Sequence, residues 1–112
     1  MADAGRLRVT YRHMSPDVSQ QQRAGAADVC IVGGAGHVGL PLGLVLADSG
    51  LNVRLLDVNG RMLDEVRAGR MPFEDRGAQE LLGKVLAEGR LSFSTETSAI
   101  QDVPVVIVTI DQ

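Results

Sequence analysis

Cysteine, aromatic residues and long apolar runs are almost missing from this sequence. Its 112 residues include one cysteine, no tryptophan, one tyrosine and two phenylalanines. A single cysteine excludes a disulfide framework and a four-cysteine zinc module. No stretch approaches the roughly 18 consecutive apolar residues that mark a membrane-spanning helix. No internal repeat is visible. What is plentiful is glycine, with 13 residues, in a chain that is 45% hydrophobic and 22% charged. That composition is too apolar for a wholly disordered chain, and the length is that of one domain.

The charge is unevenly spread. The total is 11 basic against 14 acidic residues, or −3. Residues 1–27 hold four arginines against Asp3 and Asp17, which leaves seven basic and twelve acidic residues for 28–112. An acidic body offers no electrostatic footprint for nucleic acid. Residues 1–27 read as a flexible, solvated tail, with a turn at Ser15-Pro16-Asp17 and a polar tract at Gln20-Gln21-Gln22. An arginine-bearing, acid-poor start also fits a targeting segment, but it lacks the apolar core of a secretory signal. Within it, Leu7-Arg8-Val9-Thr10-Tyr11 alternates apolar and polar, as an edge strand does. His13 has no partners in the tail, so no metal site is expected.

Regular structure is expected from Asp28 onward, over 28–112. Val29-Cys30-Ile31-Val32 is a short apolar run that stops at glycine, the pattern of a strand buried on both faces. Gly33 to Gly36 is a tight turn. His37 to Ser49 reads as a helix capped at its end by Gly50, with Pro41 near the first turn, where a missing N–H costs least. Gly39, Gly43 and Ala47 recur every fourth residue and share one helical face. Each glycine lowers helix propensity by roughly 1 kcal/mol, so close approach of this helix to a sheet is the expected compensation. Asn52 to Leu56 reads as a strand, Gly60 to Ala68 as a short helix, and Gly69 to Gly77 as a loop holding Pro72. Ala78 to Glu88 is an amphipathic helix with Leu81, Leu82, Val85 and Leu86 on one face. Leu91 to Thr95 and Val103 to Ile110 complete the strands. Alternating strands and helices make βαβ units and a parallel sheet.

Gly34-Ala35-Gly36-His37-Val38-Gly39 is a G-x-G-x-x-G motif. Alone it is weak, but here a strand precedes it, a helix follows it and an acid ends the next strand. That is the context of a Rossmann-type, doubly wound parallel sheet, truncated after its fourth strand. Gly34 is expected to permit the turn, Gly36 to let the backbone approach a pyrophosphate, and Gly39 to let helix and strand pack closely. The helix start offers N–H groups and partial positive charge to phosphates. Asp57, 18 residues after Gly39, is placed to accept hydrogen bonds from the adenosine ribose hydroxyls. Its charge repels a 2′-phosphate, which favours NAD over NADP. An isolated Asp at a strand end is more often a turn cap; the glycine motif upstream tips the reading to the ribose. His37 contributes its backbone N–H rather than acid–base chemistry. Cys30, mid-strand, is a small buried hydrophobe and a poor nucleophile. No catalytic residue is assigned.

The run Val29 to Leu42, VCIVGGAGHVGLPL, resembles the opening of the UDP-glucose/GDP-mannose dehydrogenase family. The similarity continues without gaps through Asp57-Val58-Asn59, Gly69-Arg70-Met71-Pro72-Phe73-Glu74, Gly77 and Glu80-Leu81-Leu82. The Met71 to Glu74 segment looks most like the UDP-N-acetylmannosamine branch. The resemblance implies the NAD-binding portion of a cytoplasmic enzyme of polysaccharide biosynthesis. That enzyme oxidises the C6 alcohol of a UDP- or GDP-linked sugar to a uronic acid. Gly34, Gly36, His37, Val38 and Asp57 match the family's NAD-binding positions. The family also has a basic residue five positions after the acid. Here that position is Met62, and Arg61 beside it is the substitute. The family's fourth strand runs into Gly-Thr-Pro, whereas Thr109-Ile110 is followed here by Asp111-Gln112. The family's catalytic cysteine, nucleotide-sugar site and dimerising helix, the last implying a homo-oligomer, lie in later segments. This chain is therefore expected to be an inactive fragment. The alternative is a stand-alone nucleotide-binding module without catalysis.

Overall fold

In the computed structural model, residues 5–11 and 26–111 are described, the first group by backbone alone. Five strands form one sheet: β1 (Gly5–Tyr11), β2 (Val29–Val32), β3 (Val53–Leu56), β4 (Leu91–Ser94) and β5 (Val105–Asp111). Three helices are α1 (Gly39–Asp48), α2 (Gly60–Arg67) and α3 (Ala78–Ala87). The strand order is β1-β5-β2-β3-β4. β5, β2, β3 and β4 run parallel, so the expected α/β parallel sheet is present.

The local pattern explains most of these elements. β2 is a short apolar run and β3 is apolar apart from Arg54, and both place alternate residues into the same core: Val29 and Ile31, then Val53 and Leu55. Against that face pack Leu40, Leu44 and Ala47 of α1, Leu63 and Val66 of α2, and Leu82 and Val85 of α3. Helix α1 begins at Gly39 rather than His37, because the turn occupies two residues more than the periodicity suggests. It ends at Asp48, and two residues on Gly50 takes a positive φ of 106°, which glycine adopts freely. Gly43 lets α1 lie close to the sheet: a β-carbon there would stand 2.8 Å from Leu55 Cδ2, so the Leu55 side chain would have to shift. Asn59 caps α2 by accepting the Met62 N–H at 3.1 Å.

Two features depart from the sequence reading. Residues 97–100 form a 3-10 turn ahead of β5, and Val103 is buried before the strand starts at Val105. More consequentially, Gly5–Tyr11 is a strand, antiparallel to β5 over its whole length, Gly5 opposite Asp111 and Tyr11 opposite Val105. The alternating Leu7–Tyr11 patch lies inside it and at the sheet edge, as its pattern suggests, so these residues belong to the sheet and not to the solvated tail expected for 1–27. Without β1, β5 would present an unpaired apolar edge, a feature that folded proteins cover. The remaining tail assignments up to residue 25 lie outside the described residues.

The second face of the sheet carries Cys30, Leu56 and Ala27 with Val103. Cys30 is fully buried, and burial pushes its thiol from 9.0 up to about 11, partly opposed by the Arg54 guanidinium. A raised pKa for an acid means that the folded state holds its proton more tightly than the unfolded state. The contribution is therefore whole below pH 9 and is lost as pH rises toward 11, amounting to about 2 kcal/mol by pH 10.5. Urea midpoints at pH 8 and pH 10.5 should fall further for the wild type than for Cys30→Ala; equal falls would assign the alkaline loss to another group.

Candidate dinucleotide-binding site

From β2 the chain passes through α1 to β3 and on to β4 on one side. It returns by β5 to the other side of β2. The strand order therefore reverses between β2 and β5, and in open α/β sheets ligands bind beyond the strand ends at such a point. The glycine turn, Gly33 to Gly36, emerges there.

The turn is fastened from both neighbouring strands. On the β3 side, the N–H groups of Gly33 and Gly34 both donate to the Leu56 carbonyl, at 2.8 and 3.0 Å. On the β5 side, the Thr109 hydroxyl lies 2.9 Å from the Val32 carbonyl oxygen and 3.3 Å from that of Gly33. The Gly36 N–H donates to the Gly33 carbonyl at 3.1 Å, and the Gly36 carbonyl accepts from Leu40. The left-handed residue of the turn is Gly33, with φ of 84°, and not Gly34. Gly34 is required for a different reason: a β-carbon there would stand 2.9 Å from the Leu55 backbone. A β-carbon on Gly39 would strike the Gly33 carbonyl and sit 2.9 Å from Thr109 Oγ1. The close approach expected of Gly39 is therefore present, and it is to the turn and β5.

Val38 stands at the α1 N-cap position. No side chain caps this helix and no acid occupies its first turn. An uncapped start leaves backbone N–H groups and the positive end of the helix dipole facing the crevice, the arrangement that receives phosphate. His37 is exposed, and its ring stacks on Phe73 with centroids 4.2 Å apart and planes 24° from parallel. The Gly69–Gly77 loop thus reaches back to the glycine turn. At its base, Gln79 accepts the Met71 N–H at 3.0 Å and donates to the Gly69 carbonyl. The loop borders a cavity of about 660 Å³ lined by Met71, Phe73, Asp75 and Arg76 among others.

Asp57 follows β3 directly. Its Oδ2 accepts the Ala35 N–H at 3.0 Å and its Oδ1 the Asn59 N–H at 2.9 Å. The carboxylate therefore ties the glycine turn to the start of α2 while remaining half-exposed. Each oxygen keeps a lone pair for another donor. Val58 beside it is 93% exposed, an apolar surface at the crevice rim. Arg61 is exposed on the first turn of α2, where its charge acts on Glu65 one turn further on. The only lysine is remote from the crevice: Lys84 of α3 pairs with Asp48 of α1.

The structure brings Gly34, Gly36, His37, Val38, Gly39 and Asp57 to one end of the sheet. Sequence reasoning missed Gly33, Thr109 and Phe73. For Gly33 the signal was the doubled glycine; for the other two nothing local distinguishes them. Among the described residues, no cluster of His, Cys, Asp or Glu could hold a metal ion. No described helix is long and apolar enough to cross a membrane.

An uncapped helix start behind a glycine turn at the switch point, with a held carboxylate one strand away, is the construction of a dinucleotide-binding domain. The likeness to known proteins is narrower. Residues 27–111 match the UDP-glucose/GDP-mannose dehydrogenase family, NAD binding domain, and the chain belongs to that family, whose cofactor is NAD. UDP-glucose 6-dehydrogenase YwqF of Bacillus subtilis is 40% identical over 62 residues, 55% of this chain and 14% of that protein. Among solved structures, GDP-mannose dehydrogenase from Pseudomonas aeruginosa superposes with a TM-score of 0.63 at 30% identity, covering 68% of this chain and 17% of that one. The UDP-N-acetyl-mannosamine dehydrogenase Cap5O from Staphylococcus aureus gives 0.57 at 34% identity, covering 60% and 16%. The chain thus spans less than a fifth of the length of these relatives.

Proposed function

We propose that this chain holds NAD within a cytoplasmic nucleotide-sugar dehydrogenase that oxidises the C6 alcohol of a UDP- or GDP-linked sugar to a uronic acid. The observation that supports it best is the Asp57 carboxylate, held by two backbone N–H groups at the rim of the glycine turn. The residues fit the cofactor. With the N–H groups of Gly34, Ala35 and Gly36 bonded within the protein, those at the α1 start are the ones offered to the pyrophosphate, with Gly36 keeping side-chain bulk out of its path. The adenosine ribose hydroxyls donate to Asp57. Arg61 adds positive charge near the ribose. Bound NAD supplies the hydride acceptor. The relatives are dehydrogenases named for UDP-glucose, GDP-mannose and UDP-N-acetyl-mannosamine, which together support the nucleotide-sugar class.

Residues 1–112 by themselves bind the cofactor without catalysing the oxidation. Carrying the alcohol to the acid takes two hydride transfers, and the second, by the family route, needs an activated thiolate. Cys30 is the one thiol, fully buried and shifted toward the protonated form. Sugar recognition and homo-oligomerisation are assigned to other parts of the enzyme. Incubating the purified 112-residue chain with NAD and a panel of UDP- and GDP-sugars should produce no absorbance at the NADH band. NADH formation that disappears in Cys30→Ser would overturn the assignment of Cys30.

A further inference from the structure

Thr109 is the one buried polar side chain among the described residues, and its hydroxyl sits where the β2–β5 ladder stops. The register pairs Val32 with Val108 and goes no further. Beyond that pair, the Thr109 side chain takes over from the backbone, reaching the carbonyls of Val32 and Gly33. The same oxygen limits two glycines: β-carbons on Gly33 and Gly39 would lie 2.5 and 2.9 Å from it. The Gly33 carbonyl that it touches also receives the Gly36 N–H. One hydroxyl therefore borders the start of the turn, its internal hydrogen bond and the first residue of α1.

We propose that Thr109 is a positioning residue for the dinucleotide, its hydroxyl fixing the turn so that the N–H groups at the α1 start converge on the pyrophosphate. This rests on the NAD reading above. A buried hydroxyl with no acceptor is costly, and one whose single proton is shared between two neighbouring carbonyls restricts the peptide planes leading into the turn. Thr109→Val keeps the shape of the side chain and removes the donor. The adenosine half of the ligand, which addresses Asp57, is served by β3 and not by β5.

The test compares the wild type with Thr109→Val, Thr109→Ser and Thr109→Cys in the purified protein. Amide hydrogen exchange without cofactor should be about tenfold faster at Gly36 in Thr109→Val, with Ile31 in the adjoining strand unchanged. Affinity for ADP-ribose should fall about tenfold while that for adenosine stays within twofold. Thr109→Ser, which keeps the hydroxyl, should stay within twofold of the wild type on both readouts. Unchanged exchange at Gly36, or a parallel fall for adenosine and ADP-ribose, would overturn the proposal in favour of mere packing. Should Thr109→Val not fold, the serine and cysteine variants decide, since a thiol is a weak donor: equal behaviour overturns the proposal. A wild type that binds no NAD sinks the cofactor reading, whereas the exchange result judges Thr109 independently.

Discussion

Gly36→Val is expected to abolish NAD binding, a loss beyond about 100-fold, or more than about 2.7 kcal/mol, while leaving the fold in place. Gly36 is not among the glycines with positive φ, so valine meets no left-handed strain there. Its N–H and carbonyl bonds, to Gly33 and Leu40, are backbone interactions that a side chain leaves intact. The residue is only half-buried. On the NAD reading proposed above, a valine side chain would occupy the space of the pyrophosphate. Gly33 and Gly39 make poorer probes, because side chains there collide with Thr109 or with the turn itself and would unfold the region. Calorimetric titration with NAD, beside a urea melt, separates the two effects. Unchanged NAD affinity in a folded Gly36→Val protein would place the phosphates elsewhere.

Asp57→Asn is expected to weaken NAD about tenfold or more, because hydrogen bonds to a charged acceptor are worth about 1.5–3 kcal/mol. NADP should lose less, or gain, since the charge that repels its 2′-phosphate is gone. The gap between the two cofactors should therefore narrow. The geometry adds a second consequence. Both carboxylate oxygens accept backbone N–H groups, from Ala35 and Asn59. A carboxamide has one acceptor and one donor end, so one of those N–H groups would face an NH2. A fall in stability of about 1–3 kcal/mol should accompany the change in specificity. Titrating both cofactors against both proteins is the measurement. Equal affinities of the wild type for NAD and NADP would remove Asp57 from ribose recognition.

These two residues show how much of the site was legible beforehand. The glycine motif, the strand before it and the acid after the next strand are local signals, readable because strand and helix periods differ and because glycine punctuates both. Asp57 was weighed between a turn cap and a ribose acceptor. In the structure its carboxylate makes the turn contacts, accepting the N–H groups of Asn59 and of Ala35, 22 residues upstream. Which glycine of the turn is left-handed is not a local signal. Two adjacent glycines look alike in sequence, and only the path of β2 into the turn makes Gly33 the one with φ of 84°.

By itself, the sequence determined the order and type of the elements from β2 to β5, the apolar faces of the helices, and the site at the end of the first parallel strand. Each depends on residues within one or two turns of one another. The tertiary structure alone decided what lies across the sheet. It paired Gly5–Tyr11 antiparallel with the far end of the chain, set Thr109 against Val32 and Gly33, and stacked Phe73 on His37. Those contacts join segments from 36 to about 100 residues apart, and such closures depend on strand order and register, which no local period encodes.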